Sequence, residues 1–185
     1  MDLDDVVPAP EHTTSQSRVI AAPPEVVWEE LHRVTLSSLP ISATLIGIRF
    51  LPALLLGSRP SLDRAFLDVV PVPKLSSEPA SAVVLGGVMQ PWRLISGEQG
   101  PALDASEVRA WDEPGWVRVG MDFRLSPTAE GTTLRTETRV AATDATARLL
   151  FSGYWLVVRP GSSTVRREVL ATVAYRAEAR AARPA

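Results

Sequence analysis

Cysteine is absent from the chain of 185 residues, which excludes disulfides and thiolate metal sites. Histidine is nearly absent. His12 and His32 are the only two, too few for a histidine-built metal centre. Lysine occurs once, at Lys74, so almost every basic residue is arginine; together with the abundant alanine this fits a GC-rich coding sequence. Charge of either sign is not in excess. At a net charge of −2 there is no bulk attraction to nucleic acid or to anionic lipid. The arginines at 159, 166, 167, 176, 180 and 183 lack the interleaved aromatics of a nucleic-acid surface and read as a solvated helix face. Gly86-Gly87 lacks the further glycines and the lysine of a phosphate loop. Gly161-Ser162-Ser163 is not a nucleophile elbow. Rossmann and metalloprotease patterns are missing, so no cofactor and no metal are expected.

What remains is an ordinary globular composition, 45% hydrophobic and 22% charged, at a length that suits one domain. Met1 to Glu11 is acidic and carries Pro8 and Pro10, without the basic start and apolar core of a secretory signal. The expectation is a cytoplasmic protein with a flexible leader over residues 1–12 and a single domain over 13–182.

The organising stretch is Phe151 to Ala177. Phe151, Tyr154, Trp155, Val158, Val165, Val169 and Val173 fall at three-and-four spacing, the mark of one buried helical face. Pro160 predicts a kink, and Asp144 is placed to cap the helix. Upstream, Thr13 to Ala21 reads as a strand. Pro23-Pro24 and Glu25 open a first helix to Val34, with Val27, Trp28, Leu31 and Val34 inward. Ser37 to Leu56 is strongly apolar, but Pro40, Gly47, Arg49 and Pro52 interrupt it, so a buried or lid-forming helix is expected rather than a membrane span.

Strands follow. Ala65 to Val70, Ser81 to Leu85 (extending toward Ile95) and Glu107 to Trp111 read as short strands, with a loop from Pro71 to Pro79 and a bulge or bend at Gly86-Gly87. The clearest signal is a hairpin. Val117, Val119, Met121, Phe123 and Leu125 alternate with Arg118, Asp122 and Arg124; Leu134, Thr136, Thr138 and Val140 alternate with Arg135, Glu137 and Arg139. Period-two alternation predicts one buried and one wet face, the wet one holding cross-strand ion pairs.

Three stretches are similar to the START/Bet v1-like superfamily, also called SRPBCC or polyketide cyclase-like proteins: Ala21-Ala22-Pro23-Pro24-Glu25-Val26-Val27-Trp28, the hairpin from Met121 through Gly131 to Val140, and Phe151 through Ser162 to Arg167. The resemblance covers about residues 13–182. It implies an α+β helix-grip fold: a curved antiparallel sheet of about six to seven strands, two short helices after strand one, and a long kinked C-terminal helix across the concave face. It also implies a cavity for a lipid- or polyketide-like molecule, with cyclisation or dehydration in some members.

The ligand contacts expected on that basis are Trp28, Trp92, Val119, Met121, Phe123, Tyr154, Trp155, Val158, Ser162 and Arg166. Tyr154 brings a hydroxyl that a buried site must satisfy, and Arg166 brings a fork of donors suited to a carboxylate or enolate oxygen; position alone favours a solvated flank for Arg166. For proton transfer the candidates are Tyr154 and Asp122, the latter on condition that strand twist turns it inward. The sequence therefore supports binding of a hydrophobic small molecule first, a cofactor-independent cyclase or dehydratase second, and an interaction surface on residues 37–56 third. It leaves the oligomeric state open.

Overall fold

A computed structural model describes residues 1–49, 63–93 and 100–183. Strand β1 (His12–Ile20) ends at the prolines, and helix α1 (Pro24–Arg33) starts with proline in its first turn and Glu25 beside its positive end. A short 3-10 turn (Leu36–Ser38), closed by a Thr35–Ser38 capping box, leads into helix α2 (Pro40–Arg49). The carboxylate of Glu168 accepts bonds from the backbone N–H groups of Ile41 and Ser42, and so caps α2 from the terminal helix. Residues 50–56 of the apolar stretch, and the expected strand extension beyond Arg93 to Ile95, lie outside the described residues.

Three expectations are corrected here. The segment read as a strand at 65–70 is one helical turn, α3 (Phe66–Val69). The proline-bearing loop at 71–79 contains strand β2 (Lys74–Glu78), paired with strand β3 (Ala82–Met89). The segment read as a strand at 107–111 is helix α4 (Ala105–Ala110), because Asp104 and Glu107 form a reciprocal capping box that fixes its first turn. Gly86 and Gly87 stay in register with Gly120 and Val119, so no bulge forms there; the register shift lies in β2, between Lys74 and Ser76.

The hairpin is confirmed as strands β4 (Val117–Thr128) and β5 (Gly131–Ala142), paired from Val117↔Ala142 to Thr128↔Gly131. Gly131 has φ +133, and a Cβ there would stand 2.2 Å from the carbonyl oxygen of Ile20, so no other residue fits. The sheet is antiparallel in the order β1-β5-β4-β3-β2, five strands among the described residues rather than six or seven. Helix α5 (Ala145–Ala181) crosses it, capped by Asp144, whose carboxylate accepts from the Ala147 N–H at 2.8 Å. The helix continues through Pro160. A curved antiparallel sheet gripped by one long helix is the helix-grip architecture that the resemblance implies.

Both faces of the sheet are covered. On the helix side, Ile20, Val27, Leu31, Phe123, Leu134, Val169, Leu170 and Val173 share one core. On the outer side, Leu3, Val6 and Val7 pack with Val84, Val88 and Val108 in a second core. The first residues, expected to fray, are thus laid on the sheet, with Leu3, Val6 and Val7 at most 3% exposed. The opposed pair Gly86↔Gly120 leaves the bare patch that seats them: a Cβ on Gly120 would come within 3.1 Å of Leu3. The face expected to be wet is accordingly part-covered. Asp122 and Glu137, directly opposed, are 3% and 5% exposed. Arg124 pairs with Asp122 at 2.7 Å, Arg135 and Arg139 pair with Glu137, and Arg139 also reaches Asp4 at 2.6 Å.

Candidate functional site

β1 is an edge strand with unusual content on the side that faces α5. His12, Thr14 and Gln16 are half-buried there, while Thr13, Ser15 and Ser17 are exposed. The strand register sets His12 against Val140, Thr14 against Thr138 and Gln16 against Thr136, so polar side chains from two neighbouring strands share one face. Helix α5 answers with Ser152, Ser162 and Arg166. Arg166 donates through Nη1 to Thr14 Oγ1 and through Nη2 to Ser162 Oγ at 3.1 Å. Gln16 Nε2 donates to the Ser163 carbonyl at 3.2 Å, and Ser152 Oγ lies 3.4 Å from His12 Nε2. A polar seam therefore runs between β1 and α5, inside the grip.

Its charge is not balanced. Arg166 is 5% exposed, and no ion pair to it is found among the described residues. Burial alone pushes its guanidinium down from the ordinary arginine value to about 10, a shift worth on the order of 3 kcal/mol against the charged form. The guanidinium stays protonated at neutral pH all the same, so the folded state carries that cost. Among the described residues Arg166 Nε has no hydrogen-bond partner, and neither do Gln16 Oε1, Thr136 Oγ1 and Thr138 Oγ1. Each unmet buried group costs about 1–3 kcal/mol. Native structures leave few such groups, and a cluster of them around a perturbed cation makes the seam a candidate site.

One end of the seam is aromatic. Phe151 and Trp155 stack with centroids 5.7 Å apart and planes 20° apart, and His12 sets its ring against Phe151 at 5.1 Å and Trp155 at 6.0 Å. Tyr154 lies 5.9 Å from Phe151. An apolar body beside this stack, with an oxygen anion directed to Arg166, would satisfy both halves of the arrangement.

Of the residues expected from sequence, Tyr154, Trp155, Val158, Ser162 and Arg166 come together along this face of α5, and Arg166 is buried rather than on a solvated flank. Val119, Met121 and Phe123 face the helix from β4, where Phe123 meets Phe66 edge-on at 6.3 Å. Trp28 packs on the same core from α1, its ring 4.3 Å from His32, and Trp92 packs on it from the end of β3. Asp122 is a correction. Alternation holds along β4, so its carboxylate lies on the outer face, accepting from the Glu137 N–H at 3.0 Å and from Arg124. Burial raises its pKa, opposed by Arg124; facing away from α5, it has no part in the seam. His12, Thr14, Gln16, Thr136 and Thr138 were not found by sequence reasoning. Thr136 and Thr138 lie on the alternating face of β5, but His12, Thr14 and Gln16 sit in an unbroken polar run whose inner side is set only by pairing with β5.

Two clefts lie outside the seam. One of about 460 Å³ opens between Leu67, Pro71, Lys74 and Gly100, and one of about 430 Å³ lies beside Trp111 and Glu113; neither contains an expected site residue. Among the described residues no group of three or more His, Asp or Glu could hold a metal ion, and no helix is long and apolar enough to cross a membrane.

No family model matches the sequence, and no curated protein matches it. Solved structures do. A protein from Mesorhizobium loti is 18% identical, with 88% of this chain and 96% of that one covered at a TM-score of 0.40. The di-domain ARO/CYC BexL from the BE-7585A biosynthetic pathway is 19% identical, with 97% and 54% covered at 0.43. The di-domain ARO/CYC StfQ from the steffimycin biosynthetic pathway is 14% identical, with 91% and 51% covered at 0.46. The chain spans about half the length of those two di-domain proteins. The likeness is one of overall fold.

Proposed function

We propose that this domain binds a small molecule with a largely apolar body and one anionic oxygen group, held between the sheet and α5. The carrying observation is Arg166: a guanidinium at 5% exposure with no ion pair among the described residues, beside acceptors and hydroxyls that have no partner. A carboxylate, enolate or phenolate on its open Nε edge would supply the missing counter-charge through a charge-assisted bond. The Phe151–Trp155 stack gives the apolar body a surface to cover. The reading agrees with the neighbours' fold and rests on none of their activities.

The test is competitive binding. The aromatic sulfonate probe anilinonaphthalene sulfonate should bind saturably with a rise in fluorescence. A long-chain carboxylic acid should displace it at concentrations at least about tenfold below those needed by the alcohol of the same length, a difference of about 1.4 kcal/mol. Equal potency of acid and alcohol would contradict the anion anchor, and non-saturable probe binding would contradict the site.

A second reading, a cyclase or dehydratase on a polyketide-like substrate, is favoured by His12. It is a titratable group on the inner face, one alternation from the residue that receives Arg166. Positioning would supply much of the rate, with the guanidinium holding an enolate oxygen while the imidazole moves a proton. Tyr154, on the same helix face, is the other group within this reading. Turnover of a poly-β-ketone analogue that falls by at least about a hundredfold in His12→Gln, with probe affinity unchanged, would support it; absence of turnover in the native chain would remove it.

A further inference from the structure

The outward side of α5 carries a second apolar stripe that the seam does not use. Leu149, Leu150, Leu156 and Val157 are 75%, 45%, 77% and 80% exposed. At about 100° per residue they fall within about 60° either side of Gly153, opposite the face that holds Phe151, Trp155 and Arg166. Single surface leucines are ordinary, but a continuous stripe on one helix is not.

The stripe is symmetric about Gly153. Leu150 and Leu156 stand three residues to either side, Leu149 and Val157 four. A Cβ built on Gly153 would meet nothing within 4 Å, so the fold of one chain does not require glycine there. Glycine within a helix costs about 1 kcal/mol relative to alanine. Its use is on the outside, where a missing side chain lets a second backbone come close.

We propose that two copies of the chain pair antiparallel through the first half of α5, with Gly153 on the two-fold axis. That operator sets Leu149 of one copy level with Val157 of the other, and Leu150 level with Leu156. An isologous contact requires a self-complementary patch of this kind; a lipid surface or an unrelated protein does not. The four side chains offer roughly 500 Å² per chain, so the pair buries on the order of 1,000 Å², the lower bound for a specific interface. Arg148 lies about 140° round the helix from Gly153, off the stripe, and pairs with Glu11 at 2.6 Å.

The absence of cysteine makes the test direct, because a single introduced thiol reports only on itself. Under mild oxidation at tens of micromolar protein, Gly153→Cys should form an intermolecular disulfide at least about tenfold faster than Tyr175→Cys, which is also exposed, near the far end of α5, because the two-fold raises the local thiol concentration. Adding Leu156→Asp should return the rate to that of the control. In sedimentation velocity the native chain should show a concentration-dependent dimer and Leu156→Asp a monomer with unchanged helicity. A native chain that stays monomeric, a dimer indifferent to Leu156→Asp, or a monomer that instead binds phosphatidylglycerol vesicles through these residues would each overturn the proposal.

Discussion

The two halves of α5 do different work. From Val169 to Ala177 the helix buries Val169, Leu170, Val173, Ala174 and Ala177 to 3% exposure or less. Its outer side is tied down by ions: Arg180 pairs with Glu29 and Glu30 of α1 at 2.6 and 3.2 Å, and Glu178 accepts from the Ala21 N–H. From Leu149 to Arg166 the same helix buries Phe151 but keeps Tyr154, Trp155, Val158 and Val165 half-buried, seats a cation with no ion pair among the described residues, and exposes leucines outside. One half is an anchor whose contacts are complete within the chain. The other leaves polar atoms without partners on its inner side and apolar side chains exposed on its outer side, where we propose an anion and a second copy. On the proposed reading, stability and function are separated along a single element, and the boundary falls between Arg166 and Val169, where Glu168 caps α2.

The sharpest way to break this division is to truncate each half in turn. Leu170→Ala should cost about 2–5 kcal/mol in urea denaturation, while Trp155→Ala, removing more atoms from the other half, should cost less than Leu170→Ala. The reverse order would place the anchor in the wrong half. Next in size is the boundary itself. Glu168→Ala removes a cap from α2 and should lower stability by about 0.5–2 kcal/mol, with loss of helix signal from residues 40–49 by hydrogen exchange. The smallest effect is expected at the exposed ions: Arg180→Ala should change stability by no more than about 1 kcal/mol, and less in high salt.

Much of this could be read from the residues. The β4–β5 hairpin follows from strict alternation, the terminal helix from three-and-four spacing, and its start from Asp144. The errors have physical causes. Ala65 to Val70 is apolar and too short for periodicity to separate a strand from one helical turn. Residues 105–110 carried a capping box at Asp104 and Glu107 that outweighs the strand character of Val108. Leu3, Val6 and Val7 hold the spacing of a buried face, but the acids between them disguised it, and the pair Gly86 and Gly120 that receives them is far along the chain. Arg166 was legible as a candidate and not as a buried one. Its burial depends on β1 lying at the sheet edge beside β5, a long-range pairing that no local pattern encodes.

The measurement that bears most directly on the central claim is Arg166→Met, assayed at once for unfolding and for probe binding. A methionine fills much of the same volume and removes the desolvation cost of the buried charge, against the loss of the bonds to Thr14 and Ser162. The expected result is a chain at least as stable as the native one, whose affinity for anilinonaphthalene sulfonate falls at least about tenfold, with binding of the uncharged probe Nile red unchanged. A variant that loses stability while holding the sulfonate as tightly as before would show Arg166 to be a structural residue, and the site would not be where it is placed here.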